Sequence, residues 1–129
     1  MVFNHQENNM VRINFETKKL IEQNPLAFAT VDNAGKPNVI GVAYAKVVSK
    51  NQILITDNHT KQTKENLKNN NNICLAVWDK KWQGVKLVGN AKYLASGKWK
   101  KLVEQMPENK GLLAKGAILI TVSILIKLG

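Results

Sequence analysis

The sequence predicts a mainly β, α+β fold: an antiparallel barrel, closed or partly closed, of six strands with short helices at the breaks. Three observations carry this expectation. Short apolar runs recur along the chain, bounded by the Gly, Pro, Asn, Asp and Ser residues that punctuate turns. The run Gly84 to Leu94 alternates throughout, with Val85, Leu87, Gly89, Ala91 and Tyr93 pointing one way and Lys86, Val88, Asn90, Lys92 and Leu94 the other. Helical stretches stand at the breaks, so the order reads helix, three strands, helix, two strands, helix, strand.

Residues 1–129 read as one domain, of which 1–12 form a polar arm. Asn14 is placed to cap a helix in which Thr17, Lys18, Glu22 and Gln23 face water while Leu20 and Ile21 pack inward. That helix stops at Asn24-Pro25, because the residue before a proline is pushed out of helical geometry. Leu26 to Val31 is the first strand, Asp32 to Lys36 a turn, and the second strand runs from Pro37 through Val39, Ile40 and Val42 to Tyr44. Gly41 interrupts it, which in a strand marks a bulge or the close approach of a ligand to the backbone. After a turn at Ser49 to Asn51 the third strand, Gln52 to Thr56, leads into a short surface helix starting near Thr60, with Leu67 and Thr63 inward. Asn69 to Asn72 stop it. Ile73 to Trp78 is a fourth strand, apolar enough for burial on both faces, and Cys74 within it reads as a buried, inert thiol. Ser96 is placed to cap a helix with Trp99, Leu102, Val103 and Met106 at packing intervals. The last strand, Ala117 to Ile126, puts Ile118, Ile120, Val122, Ile124 and Ile126 on one face. It is bracketed by Lys115 and Lys127 and falls well short of the roughly 20 residues that span a bilayer as a helix, so no membrane association is expected. With no charged-then-apolar start, the expected location is cytoplasmic.

The formal net charge is +10, and residues 61–129 carry thirteen of the basic and only four of the acidic side chains. Such a balance suits an acidic partner or a phosphorylated ligand. Arg12 is the sole arginine, and the lysines are scattered without interleaved aromatics, so a solvated surface is favoured over a nucleic-acid site. His5 and His59 fall in no metal-ligand pattern, and Cys74 has no evident base beside it. No catalytic residues are assigned.

The stretch Thr56 to Leu67 is the chemical focus. An apolar strand empties there into a helix start rich in hydroxyls and amides, with Asp57, Asn58 and Thr60 available as caps. A helix start offers unpaired N–H groups and partial positive charge, and Lys61, Gln62, Thr63 and Lys64 add side-chain donors. These are the ingredients of a phosphate site, although any strand-to-helix junction needs a cap.

LAFATVDNAGKPNV at Leu26 to Val39, ILITDNHTKQTKENLKNN at Ile53 to Asn70, GVKLVGNAKY at Gly84 to Tyr93 and the closing AILITV together resemble the FMN-binding split-barrel proteins related to pyridoxamine 5'-phosphate oxidase. The resemblance implies a six-stranded antiparallel split barrel, a homodimer, and one FMN at each of two sites along the subunit interface. It implies that the phosphate lies against the segment from Thr56 to Asn66, including Asp57 and Asn58. Gln62 stands where relatives carry a basic residue before the threonine matching Thr63, so Lys61 or Lys64 would supply the charge. The isoalloxazine ring is expected along Val39, Ile40, Gly41 and Val42, and Trp82, Trp78 or Tyr44 could cover it. Lys86 could reach it across the dimer.

The resemblance implies a small flavoprotein, an oxidoreductase or electron carrier serving a small-molecule or protein redox partner, with the chemistry belonging to the cofactor. True pyridoxamine 5'-phosphate oxidase activity is not expected, since the arginine-rich substrate segment near that enzyme's carboxyl terminus has no counterpart here. A flavin-free module that uses the basic surface for an acidic partner is the alternative, and a deazaflavin or haem in place of FMN is compatible with the same residues.

Overall fold

The order of strands dictates the shape. In the computed structural model, which describes residues 11–58 and 60–128, the chain forms α1 (Phe15–Gln23), β1 (Leu26–Val31), β2 (Pro37–Val42), β3 (Ala45–Ser49), β4 (Gln52–Asp57), α2 (Gln62–Asn69), β5 (Asn72–Trp78), β6 (Gly84–Leu94), α3 (Lys98–Glu104), a 3-10 turn (Pro107–Asn109) and β7 (Gly116–Leu128). All pairings are antiparallel and join one sheet in the order β2-β1-β5-β6-β7-β4-β3. The edge strands β2 and β3 are nevertheless linked by only Ala43 and Tyr44. So short a link spans at most about 11 Å at full extension, so the sheet must roll up until its edges stand side by side. They are not hydrogen-bonded to each other, and the barrel is split there.

The strand count is therefore seven rather than six. The added strand is β3, which merges in the sequence with β2 because Ala43-Tyr44 carries no turn residue. Inside the barrel, alternate residues of the strands meet in one apolar cluster that includes Phe28, Ile53, Leu75, Leu87, Ile118 and Ile120, with Ile21 of α1 added at its edge. A second cluster lies outside β4 and β7, where Val103 and Met106, with Trp99 and Leu102, cover Leu54 and Ala117. Residues 1–10, including His5, and also His59, lie outside the described residues. Val11, expected in the polar arm, is instead 1% exposed and belongs to the core.

Several local expectations are corrected. Asn14 does cap α1, accepting from the Thr17 amide at 2.8 Å, but Thr17 is buried. Glu22 accepts the Val47 N–H at 2.8 Å, satisfying part of the free edge of β3. Helix α3 starts after Gly97 at φ +93 with no side-chain cap, so Ser96 does not serve. Strand β5 alternates rather than being buried on both faces, and Cys74 is half-buried on the outer side, where burial pushes its thiol pKa up and Lys86 offsets part of that rise.

The largest correction concerns β7. Val88 pairs with Ile124 and Gly89 with Val122, so Ser123 is an extra residue in a β-bulge. Its hydroxyl donates to the Val88 carbonyl at 3.2 Å. Beyond the bulge the parity inverts: Leu125 packs on the core, while Ile124 and Ile126 turn outward instead of continuing the face of Ile118. Gly89 makes the bulge possible, because a Cβ there would run into the Thr121 carbonyl oxygen. Gly89→Ala is expected to cost roughly 2–3 kcal/mol by overpacking against backbone. Gly35→Ala, where φ is +85 but the space is open, is expected to cost only about 1 kcal/mol. Urea unfolding of the two variants measures the difference.

Candidate functional site

A cavity of about 460 Å³ opens at the split. Its floor is Ile55 and Ile118. Asn38, Ile40, Gly41 and Val42 of β2 form one wall, continued by Ala43 and Tyr44, and Thr56, Asn58 and Thr60 to Thr63 form the opposite end. Glu108, Asn109 and Leu112 close the third side. Strand β2 is a sheet edge, so half of its backbone N–H and C=O groups have no strand partner. At Gly41 the absent side chain leaves open space above that edge, with nothing within 4 Å of where a Cβ would stand.

The far end of the cavity is built for negative charge. Helix α2 begins at Gln62 with Lys61 in the N-cap position and no side-chain cap, so the first-turn amides lack the partner that Asp57, Asn58 or Thr60 was expected to supply. The buried Thr60 Oγ1 has no hydrogen-bond partner among the described residues. Lys61 is the only cationic side chain among the described residues lining the cavity. Gln62 donates through Nε2 to Asn66 Oδ1 at 2.8 Å, and Asn66 in turn donates to Thr30 Oγ1 at 2.9 Å, so the glutamine is tethered to the barrel. Thr63 is buried, and its hydroxyl accepts from Asn38 Nδ2 at 3.5 Å. Uncapped amides, an orphan hydroxyl and one ammonium are a donor set for a dianion.

Asp57 and Lys64 are placed otherwise than expected. Asp57 is fully buried beneath the loop and does not line the cavity. Its Oδ1 accepts from the Thr60 amide at 2.6 Å, and its Oδ2 accepts from the Tyr93 hydroxyl. Burial, then the Asp57 hydrogen bond and charge, push the Tyr93 pKa upward, so the phenol keeps its proton. The Lys64 ammonium sits 5.0 Å from the centre of the Tyr93 ring and faces a separate hollow with Leu67, Lys68, Asn71 and Lys92. Trp82 also stands away from the cavity: it is 73% exposed at the β5–β6 turn, with φ +65, and meets Trp78 edge-to-face at 6.2 Å. Lys86 lies on the outer sheet face between Ala76 and Ile126. Val39 points to the same outer side and is 64% exposed.

Seven lining residues were not among the sequence-based site candidates: Asn38, Ala43, Ile55, Glu108, Asn109, Leu112 and Ile118. Asn109 is the most consequential. It is buried, donates to Thr56 Oγ1 at 2.7 Å and to the Val103 carbonyl at 2.6 Å, and accepts from Asn58 at 3.5 Å. Asn58 also donates to the Leu113 carbonyl at 3.0 Å. The cavity end and the 107–115 segment are thus tied together across more than 50 positions of sequence, a separation that no local pattern reports. Among the described residues no group of His, Cys, Asp and Glu could hold a metal ion, and no helix is long and apolar enough to cross a membrane.

Comparison with known proteins places this geometry in a family. An uncharacterized protein of Methanocaldococcus jannaschii is 28% identical over 119 residues, covering 89% of this chain and 80% of its own length. Among solved structures, a variant of HupZ from Group A Streptococcus superposes with a TM-score of 0.83 at 25% identity, covering 90% of this chain and 99% of the other. An FMN-binding protein from Syntrophomonas wolfei gives 0.69 at 16% identity, covering 92% and 84%, and the haem storage protein HutZ from Vibrio cholerae gives 0.63 at 20%, covering 90% and 95%. The last two show a shared fold. The sequence profile of pyridoxamine 5'-phosphate oxidase matches residues 14–125, nearly the whole chain, and the protein therefore belongs to the pyridoxamine 5'-phosphate oxidase family.

Proposed function

We propose that this chain is a small FMN-binding oxidoreductase or electron carrier that works as a homodimer. The observation that carries the reading is the meeting, in one cavity, of an uncapped helix start bearing Lys61 with the unpaired edge of β2 at Gly41. The two ends suit the two ends of FMN. The α2 amides, the Thr60 hydroxyl and Lys61 would hold the phosphate, while the free backbone groups of residues 39–42 would pair with the polar rim of the isoalloxazine ring. Ile40, Val42 and Ile55 would keep water from the ring, and the Tyr44 hydroxyl, whose pKa is raised by burial and by Glu108 and Glu22, would remain a proton donor at the rim. Bound flavin would supply electron or hydride transfer at its ring system, and the protein would supply position and electrostatics.

The homodimer reading rests on the outer face of β2, β1, β5, β6 and β7. Val39 and Gly41, Ala27 and Ala29, Cys74 and Ala76, Val88, Ile124 and Ile126 are in register across this face and belong to neither core cluster. Gly41 both belongs to this face and lines the cavity, so a second copy laid on the face would help to wall the flavin site, with its Lys86 and Trp82 as contacts.

An absorption spectrum of protein purified without added cofactor, then incubated with FMN and gel-filtered, tests the reading. Flavin bands co-eluting at one per subunit with a dimer are expected; colourless protein that refuses FMN would favour the flavin-free module instead. A haem spectrum in place of flavin bands would redirect the cavity to haem, for which Tyr44 is the one described lining residue of a ligand type. Lys61→Ala is expected to weaken FMN binding by about 2 kcal/mol, or roughly thirtyfold, in fluorescence titrations at low salt. Val88→Asp, a charge in the middle of the outer face, is expected to give a folded monomer by analytical ultracentrifugation, and an intact dimer would refute this choice of interface.

A further inference from the structure

We infer that Tyr93 is a positioning residue for the phosphate end of the cavity, acting through the buried Asp57 that holds the Thr60 amide. The inference rests on the flavin reading and names residues that do not themselves line the site.

The chain of contacts is short and leaves little slack. Strand β4 must end and turn outward so that Thr60 and Lys61 face the cavity, and the turn is held by Asp57 Oδ1 on the Thr60 N–H at 2.6 Å. A carboxylate with no exposed surface is costly unless its oxygens are paired, and the second oxygen is paired by the Tyr93 hydroxyl. Room for that hydroxyl comes from Gly116, the β7 partner of Asp57, where a Cβ would lie 2.5 Å from the Tyr93 phenol carbon and oxygen. The Asp57 carbonyl is fixed as well, accepting from the Lys115 N–H at 2.7 Å. The Lys64 ammonium stands 5.0 Å from the ring centroid, putting positive charge over the phenol that donates to the carboxylate. The Asp57 carboxylate of β4 is thus held by Tyr93 of β6, whose ring is flanked by Gly116 of β7 and Lys64 of α2, and the carboxylate's only described contact toward the cavity is the Thr60 amide. Their arrangement fixes the loop that carries the orphan Thr60 hydroxyl and Lys61.

Removing the Tyr93 hydroxyl strands Asp57 Oδ2 without a donor in the barrel end, and the loop has to open to hydrate it. The consequence falls on the phosphate and spares the ring, which lies against β2. FMN and riboflavin, which differ by the phosphate, separate this role from a general loss of structure. In fluorescence titrations, Tyr93→Phe is expected to bind FMN about tenfold more weakly and riboflavin as the parent does. Gly116→Ala, which crowds the same ring from the opposite strand, is expected to show the same selective loss and stands in if Tyr93→Phe does not fold. Unchanged FMN affinity in a folded variant, or equal loss of both ligands, overturns the positioning role alone. A parent protein that binds neither ligand overturns the flavin reading and this inference with it.

Discussion

A rolled sheet that does not close leaves an edge, and an edge in water is a row of unpaired backbone donors and acceptors. Here the two edges are treated differently. The β3 edge receives the Glu22 carboxylate on the Val47 amide and the cover of α1. The β2 edge meets α2 at Asn38, whose amide donates to Thr63, and at Ile40, Gly41 and Val42 it faces the cavity. The rest of the site follows from that asymmetry. Ala43 and Tyr44 hold the edges close, α2 closes the far end, and the 107–115 segment is fastened across the gap by Asn58 and Asn109. A ligand with a flat polar rim and a charged tail completes hydrogen bonds that the fold itself leaves open.

The polar groups at the barrel end are paired in a graded way. Asn66, Thr30 and Asp57 are buried and bonded away from the cavity lining, and Asn109, which does line it, is already bonded to Thr56 and Val103. Among the described residues, Thr60 Oγ1 and the first-turn amides of α2 are left without a side-chain partner. Buried polar atoms are normally satisfied, so those left over at one end of a cavity point to what the cavity holds. Gln62, placed by sequence beside the phosphate, does line the cavity but with its amide fastened to Asn66, which leaves Lys61 as the cationic side chain of the described lining.

Much of the fold was legible because strand periodicity survives in the sequence. The β6 alternation places Val85, Leu87 and Ala91 inside as read, and the four asparagines do end α2 and start β5. Two features were hidden by their physics. The break between β2 and β3 is made by barrel curvature rather than by turn chemistry, so GVAYAKVVS looks like one strand running into a turn. The β7 bulge is set by a glycine on the neighbouring strand, so nothing in AILITVSILI itself announces that Ile124 and Ile126 change faces. At the site, the helix start and Gly41 were legible from local residue types, and the cavity joins them. Asn109 and the Asp57–Tyr93 pair were not, since each depends on contacts between residues far apart in the chain. Lys64 illustrates the limit of spacing: three residues beyond Lys61 on a helix, it leans over Tyr93 on the other side of the junction.

The central claim is that one cavity holds the phosphate at the α2 start and the ring along β2. A crystal structure of the protein grown with FMN tests it most directly. The phosphate is predicted within hydrogen-bond reach of the Gln62 and Thr63 amides, the Thr60 hydroxyl and Lys61, with the ring edge on the backbone of residues 39–42. Flavin bound elsewhere, or bound here with its phosphate turned away from α2, would contradict it.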